Sequence, residues 1–301
     1  MCASLILPEI TCKQDYVKVY ADTSVWLPAA RTICARHGLD AGDLRRETLG
    51  SNVVFRAGAR ILKLFCRLWR DDFVSERSSL AHVRGLPIPE LVADGELEDW
   101  PYLVMTVVPG MPAVDVWGSL EKEEKAGIIL ELGQIIRRLH EHPPLSELAM
   151  DWNTFLGDRI ARADEHHGVD ERWLNWVRDR ITGFCEPPFK PVLLNADLTD
   201  DHILLSERGG TWRITGLIDF GDAKMGHPYY DFIAPLACFT FGQPNLSQIL
   251  VESYGLQLNA DVVGRLTTYC LLHKFCRLKD FLIIHPVPDG SAFHRALWND
   301  L

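Results

Sequence analysis

Three carboxylates and an imidazole crowd the stretch LLNADLTDDHILL, residues 193–205: Asp197, Asp200, Asp201 and His202. The apolar ends read as two strands, and the polar middle as the tight loop between them. Farther along, Asp219-Phe220-Gly221 directly follows the apolar Gly-Leu-Ile. Carboxylates divided in this way suit transfer of a charged group to a hydroxyl. Asp197 would orient the hydroxyl and take its proton. Asp219, at a strand end, would hold a metal ion that neutralises the group being moved. His202 stands five positions after Asp197, where a loop folding back would place a second metal ligand. Imidazole in that role departs from the oxygen ligands that magnesium prefers.

Asp197 and His202 reproduce the spacing of the protein-kinase catalytic loop, H-R-D-x-x-x-x-N, with histidine in place of the asparagine; Asp219 opens a literal D-F-G. The upstream parts of such a site are also present. Lys63 lies in RILKLF, amid strand residues, where it can pair with nucleotide phosphates. Glu76, in the following helix on the face of Leu80 and Val83, can form the ion pair that positions Lys63. Gly50 in LGSNVVF precedes that strand by a hairpin's length and would let backbone approach phosphate. Each side chain also has a structural alternative. Lys63 could snorkel, Glu76 could be solvated, and Asp197 and Asp219 could serve turns and caps. His202 could be packed with no metal contact, and Asp200 and Asp201 could both be solvated. His140, at a helix end, reads as structural.

These residues need elements to hold them. A helix is expected over DTSVWLPAARTICARHGL, with caps at Asp22 to Ser24 and a stop at Gly38. ETLGSNVVFRAGARILKLF reads as two strands with a turn at Ala57-Gly58. DDFVSERSSLAHVRG reads as a short helix capped by Asp71 or Asp72, and LVADGE with YLVMTVV as an antiparallel strand pair. The PGMP at Pro109–Pro112 punctuates the chain like a hinge. Beyond it, SLEKEEKAGIILELGQIIRRLHEHPP predicts a helix capped by Ser119, with Ile128, Leu132, Ile135 and Leu139 as its apolar stripe. Further helices are expected over DERWLNWVRDRITGF, NLSQILVESYG and DVVGRLTTYCLLHKFCRLKDFLI. Strands first and helices later predict an α+β protein of two lobes: residues 1–108 carrying a small antiparallel sheet, and residues 109–301 mostly helical.

The chain has 301 residues, 47% hydrophobic and 24% charged, enough for a sizeable core. A net charge of −10 argues against nucleic acid and is compatible with a cationic substrate. No apolar run is long enough to span a membrane. The opening MCASLILPEI lacks the basic flank of a signal peptide. The eight cysteines form no C-x-x-C and read as reduced packing residues of a cytoplasmic protein. Cys270, His273 and Cys276, spaced by three, fit the interior of an amphipathic helix better than a metal site.

Taken together, GSNVVFRA, LGQIIRRLHEHP, NADLTDDHILL and IDFGDAKMGHPYYDF resemble the aminoglycoside phosphotransferase and choline-kinase-like family. The last is the most specific, since Gly226, Pro228 and Asp231 follow the family's G-D-P-x-x-D. The resemblance runs from about residue 45 to 235. It implies a bilobal, protein-kinase-like fold and ATP-dependent phosphorylation of a small-molecule hydroxyl, with Mg²⁺ or Mn²⁺. It assigns Asp197 as catalytic base, Asp219 to metal, Lys63 to the α/β-phosphates, and Gly50, Ser51 and Asn52 to the nucleotide loop. The hinge from Thr106 to Val108 would bind adenine through backbone groups. Substrate contacts would follow residue 231. Three departures stand out: Asn195 for the family's histidine, His227 for its G-D-P aspartate, and His202 for its metal-binding asparagine. A nucleotide-binding pseudokinase that regulates a partner is the alternative that His202 supports. The acceptor and the oligomeric state are not legible.

Overall fold

The computed structural model describes residues 6–48 and 50–300, so the reading of Cys2 and of the first five residues lies outside the described residues. Two compact units emerge. The first runs through Pro109 and takes in Asp219–Asp222; the second comprises Gly110–Ile218 and the chain from Ala223 onward. The sequence places the Asp-Phe-Gly segment with the helical lobe, whereas its side chains pack with the first unit.

In the first unit, helices α1 (Lys13–Tyr20) and α2 (Thr23–Arg36) lead into strands β1 (Leu44–Glu47), β2 (Val53–Ala57) and β3 (Arg60–Leu64). Helix α3 (Arg70–His82) follows, then β4 (Leu91–Leu97) and β5 (Trp100–Thr106). The five strands form one antiparallel sheet in the order β1-β2-β3-β5-β4. β-Branched and aromatic residues alternate in and out along β2, so Val53 and Phe55 are buried while Arg56 faces water. Trp26 of α2 packs edge-on against Trp100 of β5, ring centroids 5.1 Å apart, and closes the core behind the sheet. Asp22 caps α2 by accepting from the Ser24 N–H at 2.9 Å. Neither Asp71 nor Asp72 caps α3. A 3₁₀ turn at Arg67–Trp69 starts the winding earlier, and both acids fall in the first helical turn.

In the second unit, the expected apolar stripe is buried along the Lys122–His140 helix. Its cap is Glu121, which forms a capping box with Glu124, because Ser119 is drawn into a preceding 3₁₀ turn. Short strands at Val192–Leu194, Ile203–Arg208 and Thr211–Leu217 bracket the polar loop, and Lys224–Gly226 pairs with the first of them. The helices Trp152–Ala161 and Glu171–Ile181 precede these strands. The long C-terminal helix breaks in two, Ala260–Leu272 and Leu278–Ile284. His273 turns extended (φ −63°, ψ 139°), so Cys270, His273 and Cys276 border a turn instead of sharing a helix face. Cys12 and Cys185 are exposed, so not every cysteine is a packing residue. Among the described residues no helix is long and apolar enough to cross a membrane.

Candidate active site

Lys63 sits on β3 between Leu62 and Leu64, and the sheet carries its side chain into the interior, where it is 5% exposed. A lone buried ammonium is costly, so it must be paired. Its Nζ lies 2.6 Å from Glu76 Oε2 on α3 and 3.0 Å from Asp219 Oδ1. Burial alone would lower the Lys63 pKa, but Asp219 and then Glu76 outweigh it and the ammonium is firmly held. The same burial raises the Glu76 pKa against the pull of Lys63. Asp219 has a left-handed backbone, φ +60°, rare for a non-glycine residue, and its Oδ1 also accepts from the Gly221 N–H at 3.1 Å.

Around Gly50, with φ +90°, the loop between β1 and β2 is tied down by two tyrosines of α1. Tyr20 donates to the Gly50 carbonyl at 2.6 Å and Tyr16 to the Ser51 carbonyl at 2.7 Å. Asn52 is buried in this loop. Sequence reasoning missed both tyrosines, although their four-residue spacing puts them on one face of α1. At the hinge, the Thr106 N–H and hydroxyl both bond the Glu90 backbone, and the Val107 N–H bonds the Ala59 carbonyl at 3.2 Å. The Thr106 N–H is thus already taken by the Glu90 carbonyl, and Val108 lies one residue past these bonds.

In the second unit, the loop around Asp197 is held by a buried aspartate. Asp231 accepts from the Asn195 N–H at 3.0 Å and from the Ala196 N–H at 2.7 Å. Ala196 is itself left-handed, φ +66°. This double acceptance offsets the strain that turns the next residue, Asp197, out of the strand. His140 closes the arrangement, with Nε2 3.1 Å from Asp231 and Nδ1 3.0 Å from the Tyr254 hydroxyl. His140 is therefore structural, but its structural role is to hold the loop. The signal available was the histidine in RRLHEHP together with Asp231.

His202 is bound back to the same loop. Its Nδ1 lies 2.9 Å from the Asp197 carbonyl, 3.0 Å from Thr199 Oγ1 and 3.3 Å from Asp197 Oδ2. A carbonyl only accepts, so Nδ1 carries a proton, and in the neutral ring the lone pair would be on Nε2. A histidine whose other nitrogen bonds a carbonyl is the usual arrangement of a metal ligand. Asp200 is half-buried, and burial raises its pKa. Asp201 is more exposed, with Oδ2 3.8 Å from His202 Nε2.

A family model of phosphotransferase enzymes matches residues 46–263. The chain belongs to the phosphotransferase enzyme family. It is 26% identical over 157 residues to an aminoglycoside 3'-phosphotransferase of Streptomyces fradiae, covering 49% of this chain and 56% of that one. It is 24% identical over 196 residues to an aminoglycoside 3'-phosphotransferase of Escherichia coli, covering 62% and 70%. The chain thus spans little more than half the length of the Streptomyces relative. Its fold is similar to the GDP and kanamycin complex of an APH(2'') enzyme, with a TM-score of 0.70 and 19% identity over 86% of this chain and 93% of the other. It is also similar to the aminoglycoside phosphotransferase APH(3'')-Id from Streptomyces rimosus solved with ADP and streptomycin, with a TM-score of 0.53 and 23% identity over 82% and 97%.

The departures of this phosphotransferase-family chain are accommodated locally. Asn195 Oδ1 accepts from the Asp197 N–H at 3.0 Å, a bond that an amide makes readily. His227 caps the Pro228–Phe232 turn by accepting from the Tyr229 N–H at 3.2 Å, as an aspartate would. Burial lowers its pKa to about 3, so it is neutral and adds no charge. Among the described residues no cluster of three or more His, Cys, Asp or Glu side chains forms a ready-made metal cage. Magnesium is ordinarily held by one or two carboxylates, with substrate phosphates completing the shell. A carboxylate such as Asp219 fits that pattern, and the lone-pair nitrogen of His202 fits manganese better than magnesium.

Proposed function

We propose that the protein transfers the γ-phosphate of ATP to a hydroxyl of a small molecule. The observation that carries this reading is the buried Lys63 ammonium, held at once by Glu76 and Asp219. Such a three-way pairing fixes a cation for phosphates, whereas a snorkelling lysine would lead its charge to water. Asp197, set by Asp231 and Asn195, accepts the proton of the acceptor hydroxyl. The hydroxyl oxygen bonds to the γ-phosphorus as the bond to the β–γ bridging oxygen breaks, and ADP leaves. Lys63 balances the α/β-phosphate charge, the Gly50–Asn52 loop and Val108 bind the nucleotide through backbone groups, and Glu76 keeps Lys63 in place. Asp219 would hold one divalent cation and His202 would be a ligand of a second, and such cations would supply charge neutralisation. Lys63, Asp197 and Asp219 together favour an enzyme over a pseudokinase, and ATP use with free thiols fits work in the cytoplasm. An amine-bearing acceptor, like the compounds for which the relatives are named, has one support, the half-exposed acid Asp201 in the loop, and stands against the largely apolar lining next to Asp197.

The test is direct. With Mg²⁺ or Mn²⁺, ATP should raise the melting temperature of the purified protein. Asp197→Ala should keep that shift and lose transfer to any acceptor, while Asp219→Ala should lose the shift itself. A wild-type protein that ATP fails to stabilise with either metal would sink the proposal.

A further inference from the structure

The second unit contains a cavity of about 230 Å³ whose lining includes Asp197 and Thr199. Its walls are mostly apolar. Ile233, Leu236 and Cys238, which follow Asp231 in the chain, line it. Phe241, Phe281 and Phe293 also line it and pack on one another with ring centroids 4.7 to 5.4 Å apart, Phe241 and Phe281 edge to face and the other pairs tilted. Much of this wall comes from residues beyond 263, outside the segment that matches the family.

The charges on the cavity decide what it can hold. Two acids line it: Asp197, which the proposed reaction uses, and Asp280. Asp280 is already committed, its Oδ2 lying 3.2 Å from Arg277 Nη1. Arg277 lines the same cavity and would repel an amine. His273, also in the lining, is kept neutral because burial lowers its pKa to about 3, against a smaller pull from the Ala196 backbone. An acceptor bearing several ammonium groups would lose its hydration here and find few carboxylates in return, Asp197 in the lining and Asp200 hydrogen-bonded to Cys238, a heavy net cost. An apolar body would instead gain the contacts of three phenyl rings. Phe275 and Ile284, both on the lining, are 50% and 72% exposed, so the mouth as well as the floor is apolar.

We propose that the acceptor is an uncharged, largely apolar alcohol whose ring system fills this cavity and presents its hydroxyl to Asp197. The inference rests on the phosphotransfer reading and narrows its substrate in place of the amine-bearing acceptor. The balance is that of the reaction above: the alcohol's proton passes to Asp197, its oxygen gains the γ-phosphoryl group of ATP, and ADP leaves.

The experiment compares 2-naphthaleneethanol and borneol with kanamycin as acceptors, following ADP release and the phosphorylated product by mass. The apolar alcohols should be turned over with KM at least about tenfold below that of kanamycin. Ile284→Asp puts a charge at the exposed mouth, where folding is not at stake. It should raise KM for the apolar alcohols about tenfold and leave kcat nearly in place. Preferred turnover of kanamycin, or indifference of the apolar alcohols to Ile284→Asp, overturns the inference while leaving phosphotransfer standing. If no acceptor is turned over, calorimetric titration with 2-naphthaleneethanol alone decides. Saturable binding that Ile284→Asp weakens supports the cavity's role even as phosphotransfer falls, and no binding overturns it.

Discussion

Asp231 shows how one buried side chain sets another's chemistry. Its two oxygens accept N–H groups from Asn195 and Ala196, and His140 supports it from behind. Asparagine at this position keeps the shape but has one acceptor oxygen, so one loop N–H meets an amide N–H. Asp231→Asn should therefore cost about 2–3 kcal/mol of stability, the worth of a hydrogen bond to a buried charge. It should also lower kcat more than it weakens ATP binding, because Lys63 and the nucleotide loop are untouched. His140→Gln should act through the same carboxylate, so the double variant should lose less than the sum of the singles. Urea unfolding of all four proteins checks this, and strict additivity would show that His140 and Asp231 act independently.

At the scale of elements, the Lys122–His140 helix brings the loop's support into place by lying close to the Pro244–Tyr254 helix, which carries Tyr254. Gly133 permits that approach. A Cβ there would stand 2.0 Å from Ser253 Oγ and 2.5 Å from the Leu250 carbonyl, and the backbone group cannot swing away. Gly127, in the same helix, has nothing within 4 Å of its added Cβ. Gly133→Ala should thus destabilise by about 1–3 kcal/mol as the helices are pushed apart. Gly127→Ala should stabilise by about 0.5–1 kcal/mol through helix propensity alone. Melting temperatures of the pair measure the contrast, and equal shifts would refute the close-packing account. Helix α3 relates to β3 differently, since the Lys63–Glu76 pair joins them by charge in the interior.

For the whole molecule, buried titratable groups set the response to acid. His227 and His273 ordinarily titrate near 6.5, and burial lowers both to about 3. The unfolded chain therefore binds more protons than the folded one between about pH 3 and 6.5. Stability is fully present above the upper value and is lost as pH falls through the window. Glu76 acts in the opposite sense: its raised pKa gives stability that is lost as pH rises from its ordinary 4.5 toward about 7. Two histidines against one carboxyl should leave a net loss toward acid. The urea midpoint should fall steadily from pH 6.5 to 4, and the double substitution His227→Gln, His273→Gln should flatten that limb. An unchanged slope in the double variant would remove these histidines from the account.

Much of the candidate site was readable because its parts are local. Asp197 and His202 share one loop, Asp219-Phe220-Gly221 is contiguous, and Lys63 and Glu76 stand on adjacent elements, so spacing and periodicity report them. The strands of the first unit were legible for the same reason, as alternation and turn residues act within a few positions. What the sequence did not disclose depends on contacts between distant residues. His140 and Asp231 are 91 positions apart, and no pattern in either stretch says that they meet. The break after Leu272 occurs although the apolar pattern continues through it, because packing and not propensity ends that helix. The placing of Asp219–Asp222 with the first unit follows from the ion pair with Lys63, a contact across 156 positions. The apolar cavity is assembled from side chains of separate segments that become neighbours only on folding. Local chemistry thus singled out the candidate residues, and the tertiary structure alone decided what supports them and what they face, since burial and close contact belong to the packed chain.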